Sequence, residues 1–291
     1  MVFRIVERHV GTLLAVLLFP LSFYLTILCL VSYGVRVLAA DAIYHRYFAH
    51  RAYRVGRITQ FMLGLIGTQS GQRGPLWWAL THRDHHKYVE TARDPHSPIT
   101  HSIEHAAFGW FVDSRNAETN FDRIHDFAKY PELRWLNRYY WLPFYGVGVL
   151  IYAAGALGLF GDQITGFAAF LWGFEVPATI VLYVAAAINV LGHLPSVPGG
   201  YRRYQTPDRS ENRFLLGLIS CGVGFHNNHH RFAACARCGF AWWEIDVSFF
   251  FIRALERLGL AWNVVSRVPD SVLIEGGLEP ADSRDSHRIS R

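Results

Sequence analysis

Residues 21–50 read LSFYLTILCLVSYGVRVLAADAIYHRYFAH. From Leu21 to Ile43 the stretch is almost wholly apolar. At ~1.5 Å per helical residue it is long enough to cross the ~30 Å core of a bilayer. It runs directly into two histidines, His45 and His50. Imidazole is the commonest side-chain ligand of transition metals. The stretch therefore predicts a membrane helix that carries metal-binding groups to the membrane's edge.

Outward from this stretch, a shorter apolar run begins near Ile5 and is separated from it by Pro20-Leu21-Ser22. A second apolar block runs from Tyr140 to Leu191 and is broken at Gly161-Asp162-Gln163. The pattern predicts an all-α membrane protein with four transmembrane helices in two hairpins and a helical cap outside the bilayer. A further apolar stretch, Ile58 to Leu80, carries Gly64, Gly67, Gly71, Gly74 and Pro75, and is expected to lie on the membrane surface or dip into it. Neither short break contains Lys or Arg. The segment from Thr81 to Arg138 contains Arg83, Lys87, Arg93, Arg115, Arg123, Lys129, Arg134 and Arg138, and many more arginines follow His193. The positive-inside rule then puts both termini, the cap and every histidine cluster in the cytoplasm.

Composition agrees. Of 291 residues, 51% are hydrophobic and 18% charged, below the roughly 25% charged of a soluble protein. The net charge of +5 is accounted for by the topological asymmetry and does not call for a nucleic-acid partner. Cys29, Cys221, Cys235 and Cys238 make no disulfide framework, and the lone Cys235-x-x-Cys238 lacks the further ligands of a structural zinc site. No cleavable signal peptide is expected, because the first apolar run has no small-residue cleavage motif. Residues 1–269 are read as one membrane-bound domain. Residues 270–291, polar and rich in Ser, Asp and Arg, are read as a disordered tail.

The fifteen histidines matter by their spacing. His82, His85 and His86 lie in THRDHHKY, and His226, His229 and His230 repeat the pattern in FHNNHH. Positions i, i+3 and i+4 share a helix face, so each box presents three imidazoles together. His193, four residues after Asn189, ends the last apolar run. His9, His101, His125 and His287 are read as surface or loop residues. Nine clustered histidines exceed the four ligands of a tetrahedral zinc ion, so two metals are the economical reading. Zinc has no redox chemistry, whereas a redox metal with dioxygen can attack an unactivated C–H bond. Carboxylates are nearly absent from the boxes, unlike the soluble carboxylate-bridged diiron bundles. Asp84, Asp94 and Asp41 lie nearby, and Asp41 and Asp94 are candidates to accept the second N–H of a metal-bound histidine. For Asp41 a plain ion pair with Arg36 is an equal alternative.

These residues resemble the membrane-bound acyl-CoA desaturases of the stearoyl-CoA, or delta-9, type, bacterial branch. The resemblance runs from about Ile5 to Pro269 through YHRYFAHRAY, GPLWWALTHRDHHKY, DPHSP, YPELRWLNRYY, INVLGH, GFHNNHHRF and GFAWWEIDVSFF. It implies two irons held by His45, His50, His82, His85, His86, His193, His226, His229 and His230, with Asn189 acting through a water. It implies a bent apolar tunnel for a fatty acyl chain carried by CoA, a cis double bond near delta-9, and O2 as co-substrate. Electrons would come from a separate donor such as ferredoxin and its reductase. Arg202, Arg203, Arg209 and Arg213 are candidates to dock that donor or the CoA phosphates, with the topology signal as the plain alternative.

Three stretches depart from the family's pattern: Ala40-Asp41-Ala42-Ile43 before YHR, Gly222-Val223-Gly224 before the last box, and the insertion Pro195 to Gly199. Ile43 stands where the family has a small residue, so it is expected either to narrow the tunnel or simply to pack. The tunnel's end is expected on the first two spans. The runner-up function is a membrane diiron hydroxylase of an acyl, alkane or sterol substrate, which shares the histidine logic. A metal transporter is disfavoured because transport sites lie near the bilayer midplane, whereas these boxes lie at span ends.

Overall fold

The apolar run of residues 21–50 is one helix with a change of pitch near its end. The structure, a computed structural model, describes residues 2–278. Helix α1 (Val2–Leu18) leads through a break at Pro20 into α2 (Phe23–Leu38), whose N-cap Ser22 accepts the Leu25 N–H. From Ala39 to Ala49 the same helix widens to π-helical hydrogen bonding, and His50 N–H donates to His45 O. This pitch explains the His45–His50 spacing. On an α-helix, residues five apart point about 140° away from each other. With i→i+5 bonding they share a face, and the two rings lie 4.8 Å apart.

A two-residue strand β1 (Arg54–Val55) follows, then α3 (Arg57–Gly67), a 3-10 turn at Thr68–Ser70, and α4 (Pro75–Tyr88). The glycine-rich stretch thus breaks where Gly71 takes a positive φ of 68°. The break is held from within the bundle: buried Arg8 donates to Gly71 O and buried Arg36 to Gln69 O. Short helices α5 (Ile103–Ala107), α6 (His125–Ala128) and α7 (Pro131–Arg138) lead to the apolar α8 (Trp141–Ala156). Helix α9 (Gly166–Phe170) passes through a second π turn, Leu171–Glu175, into α10 (Val176–Leu191). The rest comprises α11 (Phe214–Ile219), α12 (His226–Arg231), α13 (Val247–Arg257), β2 (Ala261–Trp262, antiparallel to β1) and α14 (Asp270–Glu275).

Helix α10 packs on α1 and α2, α8 packs on α9, and α4 packs on the π stretch of residues 39–49. Two continuous helices, Phe23–Ala49 and Gly166–Leu191, are long and apolar enough to cross a membrane. Helix α8 is apolar but shorter, and α1 has 17 residues. Two of the four expected spans therefore meet the length criterion. Large apolar side chains on α1, α2 and α8 face outward, among them Phe3, Phe23, Leu30 and Leu150, as lipid contact requires and a soluble surface avoids.

Within the stretch expected as a tail, Asp270–Glu275 form helix α14. Helix α14 buries Val272 beside Tyr204 and Phe240, and Glu275 pairs with Arg231. The remaining tail, with His287, lies outside the described residues.

Candidate metal centre

Four places in the sequence meet at one end of α2 and α10. The π stretch brings His45 and His50, α4 brings His82, His85 and His86, and α12 brings His226, His229 and His230. His193 follows the end of α10, where Gly192 lets the His226 ring approach: a Cβ on Gly192 would lie 2.9 Å from that ring. The nine histidines form two groups. His45, His50, His82, His86 and His229 make one, and His85, His193, His226 and His230 the other. Within each, one ligand-capable nitrogen per residue lies within 4.8 Å of all the rest.

The nitrogens that converge are Nε2. His45 and His229 approach at 3.0 Å, His50 and His82 at 2.9 Å, His82 and His86 at 3.0 Å, and His86 and His229 at 2.9 Å. In the second group His193 and His226 approach at 3.0 Å, as do His226 and His230. The buried Nε2 of His85 has no hydrogen-bond partner.

Tautomers follow from the opposite side of each ring. Nδ1 of His45 donates to Asp41 at 2.8 Å, Nδ1 of His85 to Asp94 at 3.0 Å, Nδ1 of His193 to Glu90 at 3.2 Å and Nδ1 of His230 to Asp208 at 3.0 Å. A nitrogen facing a carboxylate carries the proton, which leaves Nε2 a bare lone pair. Several such lone pairs aimed at one point repel one another unless a cation sits among them. Protons do not fill that role easily. Burial, then the neighbouring imidazoles, hold His82, His85, His86, His226 and His229 well below the usual histidine range. Five imidazoles in one group also exceed a tetrahedral zinc shell. The residues fit a pair of histidine-ligated metal ions.

Asp41 and Asp94 each face the Nδ1 of a clustered histidine, His45 and His85. The alternative pairing of Asp41 with Arg36 does not occur: Arg36 donates to Ser32 and Gln69, while Asp41 takes Arg46 at 2.6 Å. Asp84 turns outward to pair with Arg123. Asn189 gives its amide to Ala106 O at 3.2 Å and lines the cleft beside His85 and His226.

Sequence reasoning missed several groups. Glu90 and Asp208 arrive from loops 103 and 22 residues away from their histidines. Burial raises the Asp208 carboxyl, but His230 and the Ser210 donors outweigh it and hold the group far below the usual carboxylate range. Beneath α12, buried Glu244 accepts from Asn228, Phe240 N–H and Ala241 N–H, and Asp246 accepts from Arg46, Cys238 N–H and Gly239 N–H. These are the acids of WWEID. Gly222, at φ 125°, clears Asp246: a Cβ there would lie 2.5 Å from its Oδ1. The Cys235/Cys238 thiols are free and buried, with Cys238 Sγ 4.0 Å from His229 Nδ1.

The arginines proposed for docking are mostly engaged internally. Arg203 pairs with Glu244, Arg213 with Glu211, and Arg202 holds the carbonyls of Thr206, Asp208 and Ser210. Arg209 alone of the four is largely exposed, at 60%.

The histidines face a cleft with about 720 Å³ of space, its mouth included. His45, His82, His85 and His226 line it with apolar groups that include Val37 of α2, Ala40 of the π stretch, Trp78, Trp110, and Val181, Val184, Ala185 and Ile188 of α10. The cleft lies between α2 and α10. Ile43 is not on it. That side chain is 1% exposed and packs with Tyr44, Phe48 and Leu63.

Comparison with known proteins supplies a family. The sequence model of the family described as "Fatty acid desaturase" matches residues 21–246. The acyl-CoA C20 Delta5-desaturase of Anemone leveillei is 31% identical over 84% of this chain and 74% of its own length. The delta-9 acyl-lipid desaturase 1 of Arabidopsis thaliana is 32% identical over 81% and 73%. The sn-1 stearoyl-lipid 9-desaturase of Anabaena variabilis is 32% identical over 76% of each.

Proposed function

From a chain that belongs to the fatty acid desaturase family, we propose a membrane enzyme that inserts a cis double bond near delta-9 of a fatty acyl chain, with CoA as the carrier. Its membership makes it an oxidoreductase of fatty acyl chains. The finer reading takes both helix hairpins as membrane-spanning, with termini and cap in the cytoplasm. That agrees with the arginine-free breaks and the outward apolar faces of α1 and α8. The relatives' names cover both acyl-CoA and acyl-lipid carriers and both the 5 and 9 positions.

One juxtaposition carries the reading: histidines of both groups open onto a single apolar cleft. An unreactive chain needs a strong oxidant and a dry, shaped slot, and here they share a wall. Two irons bound to the nine histidines would supply oxidation by O2. The balance is –CH2–CH2– plus O2, two electrons and two protons giving –CH=CH– and two waters. The electrons come from a separate donor such as ferredoxin with its reductase.

The chain's own residues do the positioning. Val37, Val181 and Val184 exclude water and hold the methylenes below His45 and His85. Asp41, Asp94, Glu90 and Asp208 fix the ring orientation of four histidines through Nδ1. Asn189 takes the role of holding a water at the four-histidine group, since it lines the cleft beside two of its members.

The test is expression in a host lacking its own desaturase, followed by mass spectrometry of the lipids. New monounsaturated chains with the bond at delta-9 are expected. Hydroxylated chains in their place would transfer the protein to the hydroxylase reading.

A further inference from the structure

The two histidine groups differ in what stands behind them. In the four-histidine group, three of the four Nδ1 atoms face carboxylates: Asp94, Glu90 and Asp208. Among the described residues no buried cation pairs with them. Asp94 otherwise accepts the backbone N–H groups of Glu90 and His96. Asp208 accepts from Ser210 N–H and the Thr206 hydroxyl. Glu90 accepts from Arg209 N–H, and the Arg209 guanidinium, largely exposed, stays 3.9 Å away. Glu90 also holds a left-handed backbone, φ 56°, a conformation a non-glycine residue adopts only when its contacts enforce it.

Behind the five-histidine group, among the described residues, His45 alone has a carboxylate on Nδ1. That carboxylate, Asp41, is shared with buried Arg46 at 2.6 Å. His229 faces only the Cys238 sulfur, at 4.0 Å. The formal charge behind the four-histidine group is thus near −3. Behind the other it is about zero for the Asp41–Arg46 pair, or −1 with Asp246 counted beyond Arg46.

Resting on the diiron reading above, we propose that the two metal positions are unequal. The four-histidine position is the high-affinity one, and the five-histidine position releases its ion first although it offers one more imidazole. A carboxylate on Nδ1 makes the imidazole a better donor, and losing such an outer partner costs typically 10–100-fold in metal affinity. Three carboxylates without a buried counter-charge on one side, against one shared with Arg46 on the other, outweigh one neutral imidazole. Arg46 adds a like charge near the weaker position, where burial leaves it poorly screened.

The test is an anaerobic titration of the metal-free, detergent-solubilised full chain with Co²⁺, read by absorption and calorimetry. Two steps are expected, the first at least ~10-fold tighter. His193→Ala should remove the tight step and His50→Ala the weak one. Glu90→Gln with Asp208→Asn keeps acceptors in place while removing charge, and should weaken the first step selectively. Asp41→Asn should leave the first step unchanged. Equal steps in the wild type overturn the proposal, as does loss of the tight step in His50→Ala with its survival in His193→Ala. Should the double variant prove unstable, the two histidine variants decide alone. Equal steps in a protein that desaturates sink this inference and spare the function. Unequal steps in a protein that forms no double bond support the inference and sink the function.

Discussion

Arg46 joins the π stretch of α2 to the loop before α13: one guanidinium holds Asp41 at 2.6 Å and Asp246 at 2.8 Å, and its side chain is 1% exposed. The same group donates to Ala236 O at 2.7 Å. Removing one partner of a buried charge network leaves the others uncompensated, at about 3–5 kcal/mol. Arg46→Ala is expected not to accumulate as folded protein. Arg46→Lys retains the charge but cannot fork between two carboxylates, and should lower stability by roughly 1.5–3 kcal/mol. Thermal unfolding in detergent measures this; a lysine variant as stable as the wild type would deny the network its structural role.

Loss of single histidines should separate site from fold. His85→Ala, His193→Ala and His229→Ala each remove one converging imidazole, while membrane insertion depends on the apolar helices. Each variant should enter the membrane in normal amount and lose turnover. Wild-type product levels from any of them would strike that residue from the ligand set.

The six histidines of the two HxxHH boxes were legible because helical spacing is local: i, i+3 and i+4 face one way whatever surrounds them. His45 and His50 were legible as a motif but not as a geometry, since the π pitch that aligns them comes from tertiary context. Asp41 lies one turn before His45, and spacing pointed to it. Glu90 and Asp208 gave no such signal, because each reaches its histidine through loop closure rather than along a helix. Nor did composition reveal Arg8, Arg36 and Glu175 buried inside the bundle. Apolar runs specify that a helix is buried, not which of its few charges turn inward.

Acid should destabilise the metal-free protein. His82, His85, His86, His226 and His229 are held below 6.5, first by burial and then by neighbouring imidazoles. As pH falls through about 6.5 the unfolded chain takes up protons that the folded chain refuses. Stability is therefore flat above about 7 and declines below about 6.5. Unfolding temperatures of stripped protein across that range check the sign; a stability that rises on acidification would contradict it.

The last prediction concerns chain length. Ile43 is buried at 1% exposure against Tyr44, Phe48 and Leu63, and the cleft passes it by. Its Cγ2 lies 3.3 Å from where a Cβ on Gly67 would stand, so it fills space between α2 and α3. Ile43→Gly should then cost about 3–5 kcal/mol from the cavity and the helical glycine, with the product profile unchanged. Val181 differs: it lines the cleft from α10, packs with Val37 and is 2% exposed. Val181→Phe should fill part of the slot. Because each methylene contact discriminates by only ~1–3 kcal/mol, the change should move the preferred chain by a few carbons rather than abolish turnover. Fatty acid profiles of cells expressing each variant decide the matter. A shifted double bond or chain length from Ile43→Gly, together with an unchanged profile from Val181→Phe, would move the substrate path from the α2–α10 cleft to the α2–α3 side.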